Sequence, residues 1–315
     1  MKILIVCSRN SGHIAPFILE QGEALKRAGV KLDYFAIEGK GFWGYLKNRK
    51  ALLAKMKSFQ PELIHAHYGL SGLLANTQRR IPVVTTYHGS DINNTKIYPF
   101  SRLNMMLSAH NIFVSEKITP KSIKGELGVK QSLIPCGIDT ELFIPGDKQE
   151  ARKVLNLDGD KKYILFAGAF HITVKNPELA KDAAALLPSA ELIELNGYSR
   201  EQVALLLNAV DVVLMTSFTE GSPQIIKEAL ACNCPVVSVP VGDVPDLIEH
   251  IQGCYITTYD SVEIKDKLQL ALDYGRLTEG RKRILNLGLD SESVARKILV
   301  VYEKVYSREF IVNSL

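Results

Sequence analysis

The stretch "TEGSPQIIKEAL", Thr219 to Leu230, sets two carboxylates, Glu220 and Glu228, on either side of a Ser-Pro step. The preceding "DVVLMTS" has the apolar, β-branched composition of a strand and "PQIIKEALA" has helical periodicity, so "FTEGS" reads as the turn between them. Ser222 is expected to cap the helix and Pro223 to open it, because proline lacks an N–H that the first helical position would orphan anyway. The amides of Gln224 and Ile225, with the positive end of the helix dipole, then make an anion site whose usual guest is phosphate. Glu228 lies five residues after Pro223, roughly 7.5 Å along the axis. That is the spacing between a diphosphate and the ribose hydroxyls of a nucleotide, and a carboxylate there would accept two vicinal O–H donors. Glu220 precedes the helix; a carboxylate repels phosphate, so the fitting partner for it is a sugar hydroxyl. The pattern matches a nucleotide diphosphate-sugar laid across a helix N-terminus. A capped surface helix with two solvated glutamates fits the same residues.

Other residue sets carry less chemistry. His65 and His67 in "IHAHYG" would share one strand face, but no third metal ligand accompanies them, and packing with hydrogen bonding is the better reading. Cys232 and Cys234 form a C-x-C pair without a second Cys/His pair at zinc spacing, and the five cysteines are odd in number and scattered. They read as reduced core thiols rather than a disulfide framework. Asp158-Gly159-Asp160 lies in a polar turn followed by two lysines and is read as a turn, not a metal site. His13, beside Gly12, is either an acceptor contact or an exposed loop histidine.

The elements that must position these residues alternate. "KILIVCS", "VKLDYFAI", "ELIHAHYG", "IPVVTTYHGSD", "NIFVS" and "SLIPCGID" are strand-like, with helical stretches such as "FILEQGEALKRAG" and "YLKNRKALLAKMKSF" between the earlier ones. Around "IDTELFIPGDKQEARKVLNLDGDKK" the pattern becomes polar, with Pro145-Gly146 and Asp158-Gly159 as turn signals. A second series follows: "YILFAGAF", a helix over "NPELAKDAAALL", "AELIEL", a helix over "REQVALLLNA", "DVVLMTS", the helix of the opening motif, "PVVSVPVG" and "CYITT". A last helical stretch runs from about Ser291 to Arg308. Continuous apolar strands separated by helices predict parallel sheets covered on both faces, hence an α/β chain of two doubly wound domains with ligand sites at the carboxyl ends of the strands. The boundary is placed at residue 150.

The bulk numbers agree. With 315 residues, 46% hydrophobic and 23% charged, the chain fits two globular cores. No apolar run approaches the roughly 20 residues that span a bilayer, and the apolar opening stops at Cys7, too soon for a signal peptide. A cytoplasmic location is expected. The net charge of +4 suits an anionic ligand or membrane surface and is too small to indicate nucleic acid. A nicotinamide enzyme is disfavoured, since the first strand leads into "SRNSGHIAP" rather than G-x-G-x-x-G.

"EGSPQIIKEALACNCPVVS" resembles the E-x7-E signature of the retaining nucleotide-sugar glycosyltransferases of the GT-B fold, family 4. It is supported, in order, by "ELIHAHYG", "TTYHGSD", "SLIPCGIDTELFIPGD" and "ILFAGAFHITVKNPELA", so the likeness covers nearly the whole chain. The resemblance implies two Rossmann-like doubly wound domains facing a central cleft. Residues 1–150 would bind acceptor, 151–290 would bind the nucleotide-sugar donor, and 291–315 would form a helix crossing back to the N-terminal domain. It also implies that Glu228 holds the ribose and Glu220 contacts the donor sugar. Lys175 would bind the diphosphate and stabilise the leaving group, and His88 would reach the transferring sugar. Gly12 would let a ligand approach the backbone, while Gly168, Gly221, Ser222, Pro223 and Gln224 would complete the donor cradle. His13 and Arg9 are candidates on the acceptor side. Two departures stand out. Where the family has an arginine after the glycine of the "AGAF" run, this chain has Ala169, with His171 and Arg9 as candidates to replace the charge. The stretch from "AELIEL" to "REQVALLL" is also short, so the second sheet is expected to lack one unit.

The implied reaction transfers a sugar with retention to a hydroxyl acceptor, carbohydrate or lipid-linked, in cell-surface polysaccharide, lipopolysaccharide or glycolipid synthesis. No metal or cofactor is expected; catalysis would rest on positioning and electrostatics, with Lys175 and the helix amides taking the leaving group's charge. A GT-B-fold sugar-nucleotide epimerase and a non-catalytic nucleotide-sugar-binding subunit are the alternatives. Residues 40–57 carry Lys40, Lys47, Arg49, Lys50, Lys55 and Lys57 with Phe42, Trp43 and Tyr45 and no acid. That composition suits peripheral docking on an anionic membrane, and equally a helix with a solvated face.

Overall fold

Strand β1 (Lys2–Ser8) is apolar throughout its interior, and Ile3 to Cys7 are all 0–1% exposed. In the computed structural model, which describes residues 1–119 and 130–313, such runs form parallel sheets clad on both faces. Two compact units result: Met1–Gly137 with Ser291–Leu315, and Ile138–Asp290.

The first unit contains β1, α1 (Pro16–Arg27), β2 (Lys31–Ile37), α2 (Gly41–Leu46), α3 (Arg49–Phe59), β3 (Leu63–His67) and α4 (Gly69–Asn76). It continues with β4 (Val83–Tyr87), α5 (Ser90–Asn93), α6 (Tyr98–Leu107), β5 (His110–Phe113) and β6 (Gln131–Leu133). The sheet order β2-β1-β3-β4-β5-β6 turns outward in both directions from β1 and β3, which makes the carboxyl ends of those two strands a switch point. Alternation sorts the core: Ile3 and Ile5 face one cluster, Leu4 and Val6 the other. The expected strand over "SLIPCGID" shrinks to three residues, because Ile138 instead bridges Asp290 of the second unit.

The second unit holds α7 (Lys148–Val154), β7 (Lys162–Phe166), α8 (Pro177–Ala185), β8 (Ala190–Glu194), α9 (Arg200–Ala209) and β9 (Val212–Met215). After these come α10 (Gln224–Ala231), β10 (Val236–Ser238), α11 (Val244–Ile248), β11 (Tyr255–Ile256), α12 (Ser261–Tyr274) and α13 (Gly280–Asn286). Its order, β8-β7-β9-β10-β11, puts the switch point between β7 and β9. One face is covered by α8 and α12 through Ala180, Ala183, Ile264 and Leu268, the other by α9 and α10 through Val203, Leu207, Ile226 and Leu230. Leu195 to Ser199 connect β8 directly to α9, and among the described residues this sheet has five strands against six in the first.

The units divide ahead of residue 150, through both charge pairing and apolar burial. The buried Arg152 donates to Asp211 Oδ2 at 2.8 Å, and Lys148 reaches Asp211 Oδ1 at 2.9 Å, tying the polar α7 to the foot of β9. Arg281 donates to the carbonyls of Thr140 and Phe143, both at 2.8 Å, and Ile138 and Phe143 bury in the second unit's core, which together hold residues 138–143 there. The final helix, α14 (Ser291–Asn313), belongs to the first unit, where Val294, Ile298, Tyr302 and Val305 repeat at helical spacing and bury against the cluster that includes Ile18 and Leu25 of α1.

Candidate functional site

At the switch point of the second unit, the loops after β7 and β9 are laced together. Phe218 N–H donates to Val174 O (3.0 Å), and the Thr216 hydroxyl lies 3.0 and 2.9 Å from the carbonyl oxygens of Lys175 and Asn176. Their side chains meet as well: Lys175 Nζ lies 2.6 Å from Glu220 Oε1, with 23% and 17% of the two side chains exposed. Gly168 is required by this arrangement, since a Cβ there would stand 2.8 Å from Lys175 Cγ. Gly242, at φ +56°, allows equally close approach to the motif turn; a Cβ would lie 2.8 Å from Gly221 O.

Helix α10 differs from expectation at its start. Pro223, at φ −70° and ψ 120°, is the cap residue itself, and no side chain caps the helix. Ser222 turns away, its hydroxyl 2.6 Å from Asp243 Oδ2. Asp243 is half-buried; desolvation pushes its pKa up, while the charge of Lys227 and the Ser222 hydrogen bond pull it back. Ile225 to Ala231 are all buried. The surface-helix reading therefore fails: Glu228 is 2% exposed, not solvated.

Burying a carboxylate requires a partner, and sequence reasoning missed it. Arg200 Nη2 lies 2.7 Å from Glu228 Oε1, and the guanidinium sits 4.7 Å from the ring centroid of the buried Phe143. A signal existed. Arg200 opens α9 behind a Ser199–Gln202 capping box, where the helix dipole disfavours a cation, although Glu201 of the same turn was as good a partner for it by sequence alone. Of the two candidates for the charge missing at Ala169, Arg9 lies in the first unit, ion-paired with Glu38, and His171 is exposed in the second.

In the first unit, His88 follows β4. His67 Nδ1 lies 3.0 Å from His88 Nε2, the Cys136 Sγ stands 3.7 Å from His88 Nδ1, and the rings of Phe17 and Tyr68 pack against it with centroids at 4.9 and 4.6 Å. Asp91 fixes the loop by accepting the N–H groups of Gly69, His88 and Gly89 at 3.0 to 3.1 Å, although burial still raises its pKa to about 6. Behind His67, His65 bridges the Tyr302 hydroxyl (2.6 Å) and the Thr86 hydroxyl (2.7 Å). Burial lowers the His65 pKa to about 3 and drives that of His67 far below the ordinary value. The two are neutral packing histidines. Gly12, at φ +92°, and His13 are exposed on the loop after β1, next to Arg9. The predicted residues thus fall into two groups. Gly168, Lys175, Glu220, Gly221, Ser222, Pro223, Gln224 and Glu228 gather in the second unit, and Arg9, Gly12, His13 and His88 lie in the first.

Two descriptions of protein families match successive parts of the chain: Glycosyltransferase Family 4 over residues 17–142, and Glycosyl transferases group 1 over residues 137–273. The chain belongs to the family 4 glycosyltransferases, and its fold is of the GT-B class. The D-inositol 3-phosphate glycosyltransferase of Mycolicibacterium smegmatis is 24% identical over 260 residues, which are 67% of this chain and 60% of that protein. A Bacillus subtilis chain named for teichuronic acid biosynthesis, TuaC, is 28% identical over 71% of this chain and 65% of its own length. The chain thus spans less than two thirds of either relative. Among solved structures, the sucrose-phosphate synthase of Thermosynechococcus elongatus superposes with a TM-score of 0.83 at 20% identity, covering 98% of this chain and 99% of that one. Anabaena HepE, solved with UDP-glucose, gives 0.73 at 16% identity, over 96% and 100%.

Proposed function

We propose that this chain is a glycosyltransferase that moves a sugar from a nucleotide-diphosphate sugar to a hydroxyl acceptor with retention. The observation that carries the reading is the buried Glu228 on a helix whose N-terminus adjoins the Lys175–Glu220 pair, all at one switch point. The helix amides and Lys175 receive the charge that builds on the departing phosphate oxygen. Glu228 accepts ribose hydroxyls, and Glu220 orients the sugar. The family membership and the UDP-glucose held by HepE support a nucleotide-sugar donor. The scheme needs no metal or cofactor. Relatives named for D-inositol 3-phosphate and for teichuronic acid biosynthesis support a polyol or carbohydrate acceptor, and a role in cell-surface polysaccharide or glycolipid synthesis is part of the proposal.

A thermal-shift panel of UDP-, GDP-, CMP-, dTDP- and ADP-sugars tests the donor half. One class should raise the melting temperature through specific binding; a folded protein stabilised by none of them overturns the reading. The epimerase alternative keeps one supporting observation, a TM-score of 0.62 to the UDP-GlcNAc 2-epimerase of Methanocaldococcus jannaschii at 12% identity. NMR of the stabilising donor with protein alone separates the two, since an epimerase alters the sugar without an acceptor.

Peripheral membrane docking from the cytoplasmic side belongs to the same proposal. Trp43 is 72% exposed, and a Phe42–Phe100 stack joins α2 to α6, whose Leu103 and Met106 are also exposed. Lys40, Lys47, Arg49 and Lys50 are exposed along the same segment, suited to anionic headgroups. No helix among the described residues is long and apolar enough to cross a membrane.

A further inference from the structure

The motif glutamates do not wait as bare carboxylates. Glu220 holds Lys175, and Glu228 holds Arg200, so two cation–carboxylate pairs stand where the donor reading places an anionic diphosphate and neutral hydroxyls. The four side chains sum to no net charge, which gives a diphosphate little attraction while the pairs stay closed. Strand order β8-β7-β9 places Arg200, Lys175 and Glu220 on the segments that follow three adjacent strands. Gln224 and Glu228 stand four residues apart on one face of α10, and helical side chains lean toward the N-terminus, so the Glu228 carboxylate is displaced toward the first turn. Arg200, 2.7 Å from that carboxylate, is brought near the same turn. Its side chain remains 26% exposed, and the Phe143 ring steadies the guanidinium.

Resting on the donor reading above, we propose that Arg200 is a specificity residue of this site that exchanges partners. It is the counter-ion of Glu228 in the free protein, and on donor binding the diphosphate takes the guanidinium while the ribose hydroxyls take the carboxylate. Guanidinium is suited to this because its fixed fork of donors fits a phosphate two bonds at a time, which an ammonium cannot do. Arg200 would then be a second donor-site cation beside Lys175.

Calorimetric titration of the full chain with UDP and with UMP tests this, with GDP and GMP used if UDP does not bind. Arg200→Ala should weaken the diphosphate about tenfold or more beyond its effect on the monophosphate, collapsing the diphosphate preference, and Arg200→Lys should restore it only in part. Equal losses for both nucleotides would show that Arg200 only supports Glu228 and would overturn the exchange, as would no loss for either. Glu228→Gln and Lys175→Ala are the controls for the underlying reading: if neither alters binding of the diphosphate, the donor site itself is misplaced. Circular dichroism of each variant separates misfolding from lost contacts.

Discussion

Lys175 Nζ and Glu220 Oε1 are 2.6 Å apart, across two loops whose backbones are already hydrogen-bonded to each other. Under the proposed transfer the half-buried pair serves the chemical step and Glu228 serves donor binding, and the two duties should separate kinetically. Lys175→Ala and Glu220→Ala are expected mainly to lower kcat, the lysine change by about 10²–10³, as for loss of one transition-state charge contact. Glu228→Ala should mainly raise the donor KM, by about 10–100-fold for a charge-assisted hydrogen bond. Steady-state kinetics at varied donor concentration read the split. Small and equal effects from Glu220 and Glu228 would return the motif to an ordinary helix start.

Gly168→Ala tests whether Lys175 must sit where it does. The new Cβ would meet Lys175 Cγ at 2.8 Å, close to the root of the side chain, so the lysine cannot swing aside by its tip alone. Activity should fall by about tenfold, the scale of a misplaced charged contact, with the melting temperature little changed. Full activity would mean that the ammonium position is not critical.

The buried histidines make a pH prediction of definite sign. His65 titrates near pH 3 in the folded chain against an ordinary 6.5, so the unfolded state gains protons first, and its share of stability drains away as pH falls below about 6.5. His67 acts in the same direction. Asp91, raised to about 6 from 3.8, acts in the opposite one, because the folded chain holds its proton more tightly. Between pH 7 and 5, His65→Gln should therefore lose about 2 kcal/mol less stability than the parent, as measured by urea unfolding at each pH. Parallel pH profiles would place a charged histidine in the fold.

Trp43→Ser, at an exposed position, should leave folding and donor binding unchanged while weakening co-sedimentation with anionic vesicles by about tenfold or more, the worth of one buried indole. Adsorption that ignores anionic lipid, or ignores Trp43, would remove the membrane from the proposal.

Much of the fold was legible because apolar runs and turn residues are local signals. "KILIVCS" and "YILFAGAF" could be little else than buried parallel strands, and the strand–turn–helix around Glu220 follows from its own residues. Boundaries were less legible, since they depend on competition. The polar α7 joined the second unit because Arg152 and Lys148 found Asp211, some 60 positions on, and Ser222 gave up its expected cap for Asp243. The shared strand face of His65 and His67 followed from period-two alternation, yet their partners, Tyr302 and His88, are distant in sequence.

By itself the sequence determined the alternation of strands and helices, the placing of Lys175 and Glu220 in the segments after strands and of Glu228 on the helix that follows, and the family likeness. These rest on spacing and side-chain type along a continuous chain. Only the tertiary structure decided that Glu228 is buried, that Lys175 holds Glu220, and that Arg200, named by no motif, is the cation that makes a buried Glu228 tolerable. Charge pairing in a desolvated site acts through space, and no local pattern records which residue the sheet order will bring alongside.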